Sequence, residues 1–232
     1  MIRRLTLDWP GTRPVRLLAV SDEAERALEF EANRAALGPI DGVIGCGDLE
    51  PDYLAFLADA FCVPLLYVRG NHDRGANWRA GSPNLPHVLG ARVERLAGLA
   101  VAGLSWPGSG SGEGQGDGDV DRRAIRDEAS AWRQAIGMYL RARGQKPLIL
   151  VSHVPPRGLG DTPGDHYHRG FAAYHWLCRR LKPRVWLHGH TSLAAATELR
   201  VDWGSTTLVN ATGAVLIEIG ADPIERQDPA HR

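Results

Sequence analysis

A chain of 232 residues with 44% hydrophobic content is long enough for one large domain and too apolar for disorder. Its 27 basic and 27 acidic side chains cancel, so no global field favours nucleic acid or an anionic membrane surface. The three cysteines, Cys46, Cys62 and Cys178, are scattered and form no CxxC, which argues against a disulfide framework or a cysteine zinc site and fits a reducing compartment.

The N-terminal "MIRRLTLDWPG" lacks the apolar core of a signal peptide, and no apolar run approaches the roughly 18 residues of a membrane span. The expectation is a cytoplasmic protein with no membrane partner. Val15 to Val20 reads as a buried strand broken only by Arg16, and a helix is expected from about Glu23 to Leu37. A short strand follows at Val43 to Cys46, then a helix over "PDYLAFLADAF" with Pro51 suited to its first turn, then a strand from Leu65 to Val68. This alternation implies parallel pairing and an α/β class. "RVERLAGLAVAGLSW" reads as two short strands, and "PGSGSGEGQGDGD", 107–119, as a flexible loop by composition. Asp121 can open a long helix to about Arg143, ended by Gly144. "PLILVSH" is a buried strand, "RGFAAYHWLCRRL" a helix and "RVWLHGH" a strand. Residues 194–219 read as short, mostly antiparallel strands around turns at "DWG" and "NATG". Nothing but the glycine run resembles a linker, so residues 1–232 are read as a single domain carrying that loop as an insertion.

Polar residues recur just after the apolar strands: Asp22, Asp48, Asn71 with His72, His153, and His188 with His190. In open α/β sheets, ligands bind beyond the carboxyl ends of strands. Taken singly, Asp22 and Asp48 are helix caps and His153 a core histidine. Capping does not explain histidines at two further strand ends, nor an Asn-His-Asp turn. The set of Asp, Asp, Asn, His and His suits manganese, iron, zinc or nickel. Two such ions about 3.5–4 Å apart can clamp a phosphoryl oxygen.

The blocks "CGDL", "YVRGNHD", "SHVPPRGLGD", "HRGF" and "LHGH", in that order, resemble the calcineurin-like metallophosphoesterases, and in particular small cytosolic prokaryotic members, over roughly Val15 to Ile219. The resemblance implies a four-layer α/β/β/α sandwich with two mixed β-sheets. It implies a metal-dependent phosphoesterase that hydrolyses a phosphate mono- or diester by in-line attack of a metal-bound hydroxide. With no basic stripe and no added DNA-binding domain, a phosphorylated small-molecule substrate is expected over nucleic acid. It assigns Asp48 to both metals, Asn71, His153 and His190 to the second, and Asp22 to the first. His72 would act on the leaving oxygen, with Asp73 orienting its imidazole. His168 and Arg169 in "HRGF" are candidates to contact substrate.

Two positions depart from the family pattern. Ala24 and Ser192 stand where first-site histidines are usual. The first site is therefore expected to be weakened, one or two ions to bind, and manganese to be favoured. A register shifted by two residues would make His188 an alternative ligand. The competing reading is a catalytically degraded relative that binds a phosphorylated ligand or a partner.

Overall fold

Alternation inside the short apolar runs decides how the strands face. In β2 (Val15–Ser21), Leu17 and Ala19 enter one buried cluster while Leu18 and Val20 enter another. In β7 (Leu148–Ser152), Ile149 and Val151 join the first of these, and Leu148 and Leu150 join a third. Both strands are buried on both faces, as a sheet covered on each side requires. The computed structural model describes residues 2–7, 9, 14–73, 78, 89–108, 117–146, 148–162, 164–165, 168–194 and 198–220.

The remaining strands are β1 (Arg3–Leu7), β3 (Gly42–Gly45), β4 (Leu65–Tyr67), β5 (Val93–Leu96), β6 (Leu99–Leu104), β8 (Val185–His188), β9 (Arg200–Trp203), β10 (Thr206–Asn210) and β11 (Gly213–Ile219). The helices are α1 (Glu31–Leu37), α2 (Pro51–Phe61), α3 (Asp117–Ala142) and α4 (Ala172–Leu181). One sheet runs β1-β11-β2-β3-β4 and the other β5-β6-β7-β8-β10-β9, each mixing parallel and antiparallel pairs. The shared cluster holds Leu17 and Ile44 from the first sheet with Val101, Ile149 and Leu187 from the second. Leu28, Leu37, Leu54 and Leu57 cover the outer face of the first sheet. Ala131, Met138, Tyr174 and Leu177, from α3 and α4, cover that of the second. The order is thus helices, sheet, sheet, helices.

Several elements differ from the sequence reading. The expected helix from Glu23 to Leu37 is a short 3-10 turn, Arg26–Glu29, then α1. Phe30 between them is extended (φ −90°, ψ 124°), and the Glu25 carboxylate caps Ala27 N–H at 3.1 Å. The C-terminal strands are not mostly antiparallel: β10 pairs parallel with β8, and β11 lies in the other sheet, antiparallel to β2 and parallel to β1. The strand β1 has no counterpart in the sequence reading, because its alternating, arginine-bearing pattern marks an edge. The helix α3 starts at Asp117, so residues 117–119 of the glycine-rich stretch are helical, and 109–116 lie outside the described residues. Arg16, the one charge in β2, bonds Glu218 on β11 and the carbonyls of Leu37 and Pro39. No helix among the described residues is long and apolar enough to cross a membrane.

Candidate metal centre

The carboxyl ends of β2, β3 and β4 in one sheet and of β7 and β8 in the other open onto one rim. Asp22 follows β2, Asp48 lies just beyond β3, Asn71 to Asp73 follow β4, His153 follows β7 and His190 follows β8. Asp22, Asp48 and His190 adopt left-handed backbone, with φ of 59°, 55° and 67°. Such conformations cost of order 1–3 kcal/mol each for ordinary residues and gather at functional sites. Elsewhere among the described residues, Cys62 and Lys182 do so as helix C-caps, and Ala91 and Ala97 do so away from the rim.

The centre is built around His153, which is fully buried. Its Nδ1 lies 3.0 Å from the carbonyl oxygen of Cys46, which can only accept, so Nδ1 carries the hydrogen. Its Nε2 faces Asp48 Oδ2 at 3.0 Å, Asn71 Oδ1 at 3.0 Å and His190 Nδ1 at 3.2 Å. Carboxylate and amide oxygens are acceptors, and the lone pair of Nε2 is aimed among them. A proton on Nε2 would serve the oxygens and leave His190 Nδ1 without a share, whereas a metal ion would satisfy all of these atoms at once. Ligand atoms of Asp22, Asp48 and His153 also lie within 4.8 Å of one another. The donor set fits a divalent transition metal, and the carbonyl behind Nδ1 is the orienting partner that a ligating histidine needs. Burial alone would lower the pKa of His153, but the hydrogen bond and charge of Asp48 outweigh it and raise it. Burial likewise raises the pKa of Asp48, and the His153 contacts with the His72 N–H bond bring it below the usual value.

Asp22 binds the segment that carries His190. Its carboxylate accepts His190 N–H at 3.0–3.1 Å and the Thr212 hydroxyl at 3.2 Å. The side chain of Gly189 is missing for a steric reason: a Cβ there would collide with Ser21 Oγ and Asp22 Oδ2. Gly47 is constrained twice, by φ of 99° and by a Cβ that would stand 2.7 Å from both Gly70 N and His153 Nδ1. Gly47→Ala should therefore destabilise the protein by about 2–4 kcal/mol, from backbone strain plus overpacking. A denaturant titration reading less than about 1 kcal/mol would mean that the loop relaxes freely around His153.

His72 is exposed, and its backbone N–H donates to Asp48 Oδ1 at 2.8 Å. Asp73 is buried beside it. Its Oδ2 accepts Gly70 N–H at 2.7 Å and Asp48 N–H at 2.9 Å, so it staples the β3 and β4 loops together, and no bond to the His72 ring is found among the described residues. Burial, with the Asp48 charge added, raises its pKa to about 6 against the two backbone bonds. Ala24 and Ser192 are both exposed, while Asp22 and Asp48 lie together with His153.

His188 points elsewhere. Its Nδ1 meets the Gly189 carbonyl at 3.1 Å, its Nε2 packs where a Gly160 Cβ would be 2.9 Å away, and burial pushes its pKa down to about 4. His168 is half-buried with its ring 5.2 Å from that of His190, while Arg169 is exposed. Trp106, which follows β6, packs its ring 5.9 Å from His190. Sequence reading missed it, together with Thr212 and Asp165. Trp106 and Thr212 carry a weak signal in hindsight, since each follows a strand.

A family model described as calcineurin-like phosphoesterase matches residues 38–192. No curated protein sequence matches the chain. Among solved structures, the protein TT1561 of Thermus thermophilus is similar with a TM-score of 0.52 at 19% identity, covering 87% of this chain and 90% of its own. A dimetal phosphatase from Danio rerio is similar with a TM-score of 0.52 at 11% identity, covering 86% of this chain and 87% of its own. At these identities the structural likeness concerns the fold.

Proposed function

The chain belongs to the calcineurin-like phosphoesterase family, and on that premise we propose that it is a metal-dependent phosphoesterase acting on phosphorylated small molecules. The observation that carries this reading is the convergence of Asp48 Oδ2, Asn71 Oδ1 and His190 Nδ1 on the lone pair of His153. These four residues would hold one metal ion, and Asp22 with Asp48 would hold a second more weakly. When bound, the metal supplies Lewis acidity and an activated water for attack on phosphorus. Asp48 stands in both positions and accepts the His72 N–H, which sets the His72 ring at the edge of the cluster, exposed to an arriving substrate. From there His72 delivers a proton to the leaving oxygen. Asp73 braces the two loops that carry Asp48 and Asn71. The test is metal analysis of freshly purified protein alongside turnover of aryl phosphates. Metal uptake with manganese-stimulated turnover supports the reading, and a metal-free protein inert toward every added divalent ion overturns it.

The exposed Ala24 and Ser192 favour a second reading, a phospholigand-binding relative with an incomplete first site. They also carry a prediction. A position with two carboxylates and no imidazole should hold its ion loosely and prefer exchangeable manganese or magnesium to zinc. The wild type should then retain about one ion per chain after dialysis, and Ser192→His should move that figure toward two. Two tightly held ions in the wild type would mean that another side chain fills the position.

A further inference from the structure

The loop from β7 to α4 is more ordered by its own bonds than a connector needs to be. The buried carboxylate of Asp161 accepts Gly158 N–H at 2.8 Å and Gly170 N–H at 2.9 Å, which closes the loop on itself. Within it, Thr162 N–H donates to the His168 carbonyl at 3.2 Å, and His168 N–H to the Asp165 carbonyl at 3.3 Å. The side chain of Asp165 then holds His168 Nδ1 at 2.5 Å. A carboxylate that accepts from one ring N–H fixes the ring; the other nitrogen accepts in the neutral imidazole and donates to an anionic oxygen in the imidazolium. That other nitrogen, Nε2, has no hydrogen bond among the described residues.

The held ring lies at a defined end of the metal cluster. The contacts run in series from the His72 backbone to Asp48 (2.8 Å), from Asp48 to His153 (3.0 Å), from His153 to His190 (3.2 Å), and from the His190 ring to the His168 ring (5.2 Å between centroids). His72 thus touches the ligand set through Asp48, and His168 touches it through His190. The His190 end also contains the Trp106 indole, whose buried N–H has no acceptor among the described residues. An orphaned buried donor is rare in a folded protein, and this one is available to an incoming oxygen.

We propose that His168, positioned by Asp165, is a second substrate-contacting imidazole, holding a phosphoryl oxygen at the His190 end of the site without binding metal. The inference rests on the phosphoesterase reading. It divides the histidines of the rim into three duties: His153 and His190 for metal, His72 for the leaving group, His168 for the phosphoryl group. A hydrogen bond to a charged oxygen is typically worth about 10- to 100-fold in affinity.

The experiment uses manganese-loaded full-length protein and two probes, inorganic phosphate by calorimetry and p-nitrophenyl phosphate by kinetics. His168→Phe keeps a ring against His190 and loses the contact. It should weaken phosphate binding and raise KM by about 10- to 100-fold, while manganese affinity stays within about twofold of wild type. His168→Gln, which retains an N–H donor, should recover part of the loss, and Asp165→Asn should fall between wild type and His168→Phe. Unchanged phosphate affinity in His168→Phe overturns the proposal, as does a manganese affinity that falls in step with phosphate affinity. A wild type that takes up neither manganese nor any other divalent ion overturns the phosphoesterase reading itself, and this inference with it.

Discussion

Asp48→Asn is expected to abolish metal retention and turnover together while leaving the fold in place. The substituted amide keeps an oxygen for the His72 N–H, and the backbone N–H of the same residue still reaches Asp73, so the two bonds that join the β3 and β4 loops survive. What disappears is the negative charge common to both metal positions and the carboxylate oxygen lying 3.0 Å from His153 Nε2. Loss of an outer partner alone typically costs 10–100-fold in metal affinity, so loss of this carboxylate should exceed about 100-fold. A thermal shift separates the metal effect from misfolding. Manganese at about 100 times its Kd stabilises a folded protein by about 2.7 kcal/mol, or roughly 5–10 °C for a chain of this size. The wild type should show that shift, and Asp48→Asn should melt at one temperature with or without manganese. If the variant retains full metal content after dialysis, the centre is not where Asp48 and His153 meet.

The sequence shows the rim more clearly than the scaffold behind it. Strand ends are legible because a short buried run must stop where polar groups begin, and in this chain the stops carry Asp22, Asp48, Asn71, His153 and His190. Which strands pair is not legible, because hydropathy records that a residue is buried and not against what. The C-terminal strands illustrate this: β10 and β11 are separated by two residues, yet they enter different sheets with different senses. The split of the expected helix at Phe30 has a similar cause. Its residues near Glu23 have helical spacing, but Asp22 is held in left-handed backbone with its N–H on the Gly47 carbonyl, and the chain leaves β2 in the wrong direction to start a helix at once. At the site, a motif can say that Asp73 follows His72. It cannot say which donors a buried carboxylate will find, and here the carboxylate finds the backbone N–H groups of Gly70 and Asp48. The ring contacts of Trp106 and His168 with His190 join residues far apart in sequence, and no local pattern encodes them.

His72→Asn should keep its metal and lose turnover. The backbone N–H that bonds Asp48 Oδ1 belongs to the main chain and survives the substitution, and the exposed ring makes no bond that the cluster depends on among the described residues. General acid catalysis is typically worth about 10²–10⁴-fold, and the loss should approach the upper figure for alkyl phosphates and shrink for nitrophenyl phosphates, whose leaving groups need little protonation. Asp73→Ala supplies the contrast. Its carboxylate joins Gly70 and Asp48 and makes no contact with the imidazole among the described residues, so its removal should loosen the β3 and β4 loops, weaken metal retention and slow good and poor leaving groups alike. Parallel kinetics of the two variants across a leaving-group series decide the matter. A flat dependence for His72→Asn would remove His72 from the proton-donor role. A leaving-group dependence for Asp73→Ala matching that of His72→Asn would return Asp73 to the service of the imidazole, in a rearranged loop that forms only with substrate bound.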